Sequence, residues 1–288
     1  LITCKFAGGL GNNLFQFANV FALHRRHNVP YCIQRDFQRL TFDGKLLKDE
    51  LRFKQAHVLE FQELFENKLP YIEELAVNTK NMSNYYHHDL DGSSNFLFSE
   101  VKFKDNTMYY GYYQSDKYFM DSNLKEELVV NRDITDIIKD RYAELFNKPT
   151  ISLQYRLGGD RKLNKIQKFH KNLNPSYYTK AVEEISSITG KKISDFNILV
   201  FSDDLELAKK ALSYTTLDCV YVENKNNIED FIHMSICDHN IIGNSTFAWW
   251  AAYMNKNSGL VIAPKDFFGK NYSNFLLDDF YPTEWIIL

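Results

Sequence analysis

Four short stretches of this 288-residue chain hold residue types at spacings that could do chemistry. In "KFAGGLGNNLFQFA" (5–18), Gly8, Gly9 and Gly11 fall between an apolar run and a helix-like run. Gly9-Leu10-Gly11-Asn12-Asn13-Leu14 is a dinucleotide-type GxGxxG loop without its third glycine, and Asp36 stands about where a ribose-binding acid would. The same loop fits a tight turn that needs only positive φ. It also fits backbone N–H groups brought close to a sugar or a developing negative charge, with Asn12 and Asn13 as uncharged partners. In "QYRLGGD" (154–160), Arg156 closes a strand, and in "VFSDD" (200–204), Asp203 and Asp204 follow one; either acid could orient a ligand, and Asp204 could cap the next helix. In "GNSTFAWW" (243–250), Asn244, Ser245, Thr246 and Phe247 end a strand and open a helix, where hydroxyls and free N–H groups make an anion site, unless Ser245 or Thr246 is only a cap. Asp230 opens a further helix, a place that the helix dipole alone favours for an acid. "DLD" (89–91) has the form of a metal–nucleotide motif, but it follows His87 and His88 in a polar loop with no strand to deliver it, and reads as a turn or a chance match.

These residues need strand ends to present them, and the second half of the chain has the clearer rhythm. Strands are predicted at 151–156, 197–202, 219–223, 239–244 and 259–264, with helices at 174–190, 204–212, 227–237 and 245–255. Asn174, Pro175 and Gly190 mark the N-cap, first turn and end of the first of these helices. Alternating strands and helices demand crossovers and a doubly wound parallel sheet, whose ligands bind beyond the carboxyl ends of the strands. The first half starts alike, with a strand at 1–7, the glycine loop, a helix and a strand at 30–34. Short helices around 46–66, a polar loop at 81–95, a strand running into a helix start at 106–119 and helix through 133–147 follow. The expected domains are 1–147 and 148–265, with the aromatic segment 266–288 packing back on the first. Trp249 and Trp250, among small and apolar residues, read as core.

Bulk properties exclude several classes. A net charge of −3, with no long basic run, argues against nucleic-acid binding. No apolar run reaches the roughly 18–20 residues that span a bilayer. The chain opens on a strand-like run without a signal-peptide pattern, so a cytoplasmic location is expected, with peripheral membrane attachment left open and a trimmed Golgi lumenal domain as the alternative. Cys4, Cys32, Cys219 and Cys237 form no CxxC and read as free thiols, mostly buried.

In combination, "GGLGNNLFQFA" (8–18), "GYYQSDKYF" (111–119), "FSDD" (201–204) and "HNIIGNSTFAWWAAYMN" (239–255) resemble, in order and spacing, the α-1,2-fucosyltransferases of glycosyltransferase family 11. The likeness covers nearly the whole chain. Where that family carries HxRRxD, Arg156 matches the first arginine, Gln154 replaces the histidine, Leu157 replaces the second arginine and Asp160 is displaced by one; Asn13 stands for a glutamine. The resemblance implies two facing Rossmann-like α/β domains (GT-B type), a GDP-fucose donor, no metal or other cofactor, and inversion at the anomeric carbon. It implies that Arg156 stabilises the departing phosphate, that Ser245 and its neighbours Asn244, Thr246 and Phe247 bind the diphosphate, and that Asp230 pairs with guanine. Gln154 and Asp203 join the donor site, and Asn12 with Gly8, Gly9 and Gly11 lines the cleft beside the reacting sugar. Asp160, Asp36 and His88 are the open candidates for the base. The expected reaction moves L-fucose to the 2-hydroxyl of a β-galactoside glycan. An NAD-type oxidoreductase and a catalytically impaired GDP- or glycan-binding relative are the rivals; acceptor and oligomeric state stay open.

Overall fold

The computed structural model of the chain describes residues 1–33, 55–67, 69–70, 84–87, 96–158, 170–269 and 276–288, which divide into two compact units. The first comprises Leu1–Asn131 and Asp278–Phe280. Its strands β1 (Ile2–Cys4), β2 (Tyr31–Cys32), β3 (Asn84–His87) and β4 (Thr107–Tyr110) form a parallel sheet in the order β2-β1-β4-β3. Helix α1 (Leu10–His27) follows β1 directly; α2 (Gln55–Leu64) and α3 (Leu124–Glu127) come later in the unit. Gly9, the N-cap of α1, makes no side-chain cap bond, an absence that costs only about a few tenths of a kcal/mol with glycine there. Leu14, Phe15 and Phe17 are fully buried, and each such side chain contributes roughly 2–3 kcal/mol, so packing decides that the helix forms. Its last turn carries Arg25 and Arg26, suited to the negative end of the dipole, and Arg26 also pairs with Asp121.

The polar stretch 81–95, expected as loop, contains a strand instead: β3 pairs with β4 along its whole length, from Asn84↔Thr107 to His87↔Tyr110. Non-local pairing of a tyrosine-rich segment overrides its polar surroundings. Asp89 and Asp91 therefore follow a strand closely, although they, His88, Asp36 and Asp160 lie outside the described residues.

The second unit comprises Arg132–Leu277 and Tyr281–Leu288. Strands β5 (Thr150–Gln154), β6 (Asn197–Phe201), β7 (Cys219–Tyr221), β8 (His239–Ile241), β9 (Val261–Ala263) and β10 (Ile286–Ile287) pair in parallel in the order β10-β9-β8-β5-β6-β7. Numbered from β5, this is 6-5-4-1-2-3, the doubly wound strand order, whose switch point lies between β5 and β8. The helices are α4 (Arg132–Arg141), α5 (Pro175–Thr189), α6 (Leu205–Leu212), α7 (Asn227–Ser235) and α8 (Thr246–Met254). The local signals match the structure: Asn174 accepts from the Ser176 N–H, Pro175 opens α5 and Gly190 closes it at φ 67°. Ile151, Leu153, Val182, Ile185, Val200 and Ile241 are buried in one core cluster between sheet and helices, and Trp249 and Trp250 are 0% exposed.

Two boundaries differ from the sequence reading. The units divide after Asn131, not after 147, because α4 belongs with the second. Arg141 pairs with Glu229 of α7, and the Tyr142 hydroxyl donates to the Glu223 carbonyl at 2.9 Å. Most of 266–288 also belongs to the second unit, with only Asp278–Phe280 grouped with the first. The reason is that Ile286 and Ile287 add the edge strand β10 to β9, while Trp285 packs on Trp249.

Candidate active site

The carboxyl ends of β5, β6 and β8 stand side by side, because β5 lies between the other two. Leaving β5, the chain runs through Gln154, Tyr155 and Arg156; leaving β8, it runs through Gly243, Asn244 and Ser245. The approach is close: a Cβ on Gly243 would lie 2.7 Å from Gln154 Oε1 and 2.8 Å from the Gln154 carbonyl. Only glycine lets these two strand ends meet without displacement. Gln154 is 5% exposed, and its Oε1 is buried without a hydrogen-bond partner among the described residues. Such an acceptor costs roughly 1–3 kcal/mol until a donor reaches it.

Ser245 is the N-cap of α8, yet its side chain makes no cap bond. The first intrahelical bond is the Trp249 N–H to the Ser245 carbonyl, so the preceding amides have no acceptor inside the helix. Hydroxyls and N–H groups at this turn make a place for an anion. Asn244 does something else: it is 2% exposed, and its Nδ2 donates to the carbonyls of Lys171 and Phe267. Phe247 packs edge-on against Phe231 of α7, centroids 5.5 Å apart. Those two residues shape the turn from behind.

Arg156 pairs with Asp203 at the end of β6, Nη1 to Oδ2 3.0 Å. The other oxygen of Asp203 accepts from the N–H groups of Leu157 and Gly158, at 2.9 and 2.8 Å. Asp204 caps α6 by accepting from the Leu207 N–H. Asp204 thus takes the capping task considered for it, while both oxygens of Asp203 are engaged by protein groups.

Asp230, in the first turn of α7, is pushed up to about 6 by burial; a bond from Asn224 Nδ2 at 3.0 Å opposes the shift and the nearby Glu229 adds to it. His233, 0% exposed, is pulled down to about 4 by burial and then by Arg141, so it is neutral at physiological pH. Burial likewise pushes Cys219 up to about 11 and Cys237 to about 12, which leaves these thiols protonated.

The glycine loop belongs to the first unit, at the carboxyl ends of β1 and β4. Gly8 has φ 79°, which favours glycine, and a Cβ there would press on the Asn12 side chain, which would have to shift. A Cβ on Gly9 would meet nothing within 4 Å, whereas Gly11 is buried in α1. Gln16 accepts from the Ala7 N–H and donates to the Gly111 carbonyl, which ties β1 to β4, and Asn12 accepts from Gln114 Nε2 at 2.8 Å. Leu14, at the third fingerprint position, is fully buried in the core. The sequence reading passed over Gly158, Gly243, Asn224 and Gln114; only the glycines carried a signal, Gly158 just beyond the strand predicted at 151–156 and Gly243 at the end of the one predicted at 239–244.

Among the described residues, no three His, Cys, Asp or Glu side chains are grouped as ligands of a metal, and no helix is long and apolar enough to cross a membrane.

Two parallel α/β units, the second doubly wound with polar and glycine-rich turns at its switch point, define a Rossmann-type enzyme architecture. The chain belongs to glycosyl transferase family 11, whose profile matches residues 1–288. It is 24% identical over 302 residues to an alpha-1,2-colitosyltransferase of Escherichia coli, covering 99% of this chain and 98% of that protein. It is 27% identical over 300 residues to the O-antigen biosynthesis glycosyltransferase WbnK of Escherichia coli, covering 94% and 97%. The crystal structure of POFUT1 in complex with GDP-fucose shares the fold at 13% identity and a TM-score of 0.52, covering 90% of this chain and 95% of that one. The oxidoreductase reading of the glycine loop gives way to the family assignment.

Proposed function

We propose that this glycosyltransferase moves L-fucose from GDP-fucose to the 2-hydroxyl of a β-galactoside, with inversion and without a metal. The observation that carries the donor site is the pairing of Arg156 and Ser245 on strand ends that flank the switch point of one sheet. In the transfer, the acceptor oxygen attacks the anomeric carbon from the face opposite GDP. The bond from that carbon to the β-phosphate oxygen breaks, and the acceptor's proton leaves to a base. Negative charge grows on the β-phosphate, where a guanidinium that never deprotonates supplies fixed positive charge, and the hydroxyls of Ser245 and Thr246 with the Thr246 N–H supply hydrogen bonds. Gln154 Oε1 accepts from a donor hydroxyl. Asp230 meets guanine N1–H and N2–H₂ as a paired acceptor, an arrangement adenine and uracil cannot match. Asn12, beside Gly8, serves the reacting sugar.

The bound GDP-fucose of POFUT1 and the linkage in the colitosyltransferase's name both support this reading. The colitosyltransferase also favours a specific variant of it: colitose is fucose without its 3-hydroxyl, so the same site could take either GDP-sugar. Calorimetric titration with GDP, UDP and NAD, followed by transfer assays with GDP-fucose and GDP-colitose, tests the whole reading. GDP is expected to bind tightest, and transfer to a galactoside is expected to survive EDTA. Preference for UDP or NAD contradicts the donor assignment, and loss of transfer in EDTA contradicts the metal-free mechanism. GDP binding without turnover of either sugar would instead identify a catalytically impaired relative.

A further inference from the structure

We infer that Asp203 is a positioning residue that holds Arg156, not a ligand of the donor; this rests on the donor reading above. Both of its carboxylate oxygens are engaged: Oδ2 by Arg156 Nη1 at 3.0 Å, and Oδ1 by the N–H groups of Leu157 and Gly158 at 2.9 and 2.8 Å. A carboxylate turned toward a diphosphate would repel it, whereas one that faces a guanidinium and two amides is matched on every side. The segment is gripped on its backbone as well. The Tyr155 N–H donates to the Phe201 carbonyl at 2.8 Å, which extends the β5–β6 pairing one residue past the strand. At Gly158 the backbones come so close that a Cβ would lie 2.6 Å from the Asp203 carbonyl oxygen. Arg156 therefore stands on a stretch of chain fixed on both sides, to the end of β6 and to the turn after it, and its side chain keeps 34% of its surface exposed. Holding a long, flexible cation in place before the reaction removes the entropy cost of finding that place during it. The ion pair and the glycine are two parts of one brace.

The test is a double-mutant cycle of Asp203→Asn and Arg156→Ala in the full chain, with kcat, donor KM, GDP affinity and thermal unfolding measured for each variant. Asp203→Asn is expected to lower kcat about 10–100-fold while donor KM and GDP Kd change less than about threefold. In the Arg156→Ala background the same change is expected to cost less than about a further threefold, because its effect runs through the missing arginine. Losses that multiply, or a GDP affinity that falls as far as kcat, overturn the inference. Gly158→Ala keeps both charged groups and serves as the second variant should Asp203→Asn fail to fold: a kcat loss at unchanged KM supports the brace, and an unchanged kcat overturns it. A crystal structure of Asp203→Asn reads the same point without turnover: Arg156 displaced supports the inference, Arg156 in place overturns it. A wild-type chain that does not bind GDP would contradict the donor reading, whereas GDP binding with multiplying losses would contradict the positioning role alone.

Discussion

Asp230 is the residue whose chemistry is hardest to explain by folding alone. Burial raises its carboxyl to about 6, so at pH 7.5 the folded chain holds an ionised group in surroundings that disfavour it. The sign follows from linkage: with the folded pKa above the unfolded one, this group's contribution to stability is present below about pH 4 and lost as the pH rises through 6. Asp230→Asn is therefore expected to stabilise the chain at pH 7.5 by up to about 3 kcal/mol, and by nothing measurable at pH 4, in thermal unfolding scans. The same variant is expected to lose most of its GDP affinity, and wild-type affinity to fall about tenfold per unit below pH 6. An unstabilised variant that still binds GDP would make Asp230 a simple helix-start acid. Arg156 is judged on rate: Arg156→Ala is expected to cost about 10²–10³ in kcat with an unchanged melting temperature, as removal of one charge-stabilising donor usually does. Near-normal turnover would remove it from the mechanism.

At the level of elements, the site depends on strand ends that approach one another more closely than any side chain permits. Gly243→Ala brings a methyl group to 2.8 Å from the Gln154 carbonyl, which must move. Overpacking of this kind is expected to lower stability by about 1–3 kcal/mol in denaturant unfolding, and to weaken GDP binding along with it. A variant as stable and as tight as wild type would show that β5 and β8 need not meet there. The comparison also explains what could be read in advance. Asn174, Pro175, Gly190 and Asp204 were legible because capping is local, decided within a few residues. The places of Arg156 and Ser245 just past strands were legible because each follows a clearly patterned strand. Strands β3 and β10 were not, since each exists through pairing with a distant partner. Asn224, Gly158 and the engagement of Asp203 are properties of the packed unit, and no spacing announces them. Asn244 and Phe247 carried the motif, but their side chains serve the turn from within.

Across the whole molecule, one device occurs twice. In each unit the first strand of the sheet lies between a partner from each side, β2 and β4 around β1, β6 and β8 around β5, and a glycine allows close packing where it ends. The two sites differ in what surrounds the glycine. Beside Gly8 stand the uncharged Asn12, which accepts from Gln114, and Asn13 and Gln16, joined to the Ala7 backbone and to each other. Both sites open a helix without a side-chain cap, at Gly9 and at Ser245, but around Gly243 and Gly158 stand an arginine and a carboxylate as well. A diphosphate needs the second set, and a neutral sugar suits the first. That division of labour is the central claim. A crystal of the full chain grown with GDP tests it most directly: the account predicts the diphosphate against Ser245 and Thr246 with the Arg156 guanidinium on the β-phosphate, and a diphosphate lodged at Gly8 and Gly9 would contradict it.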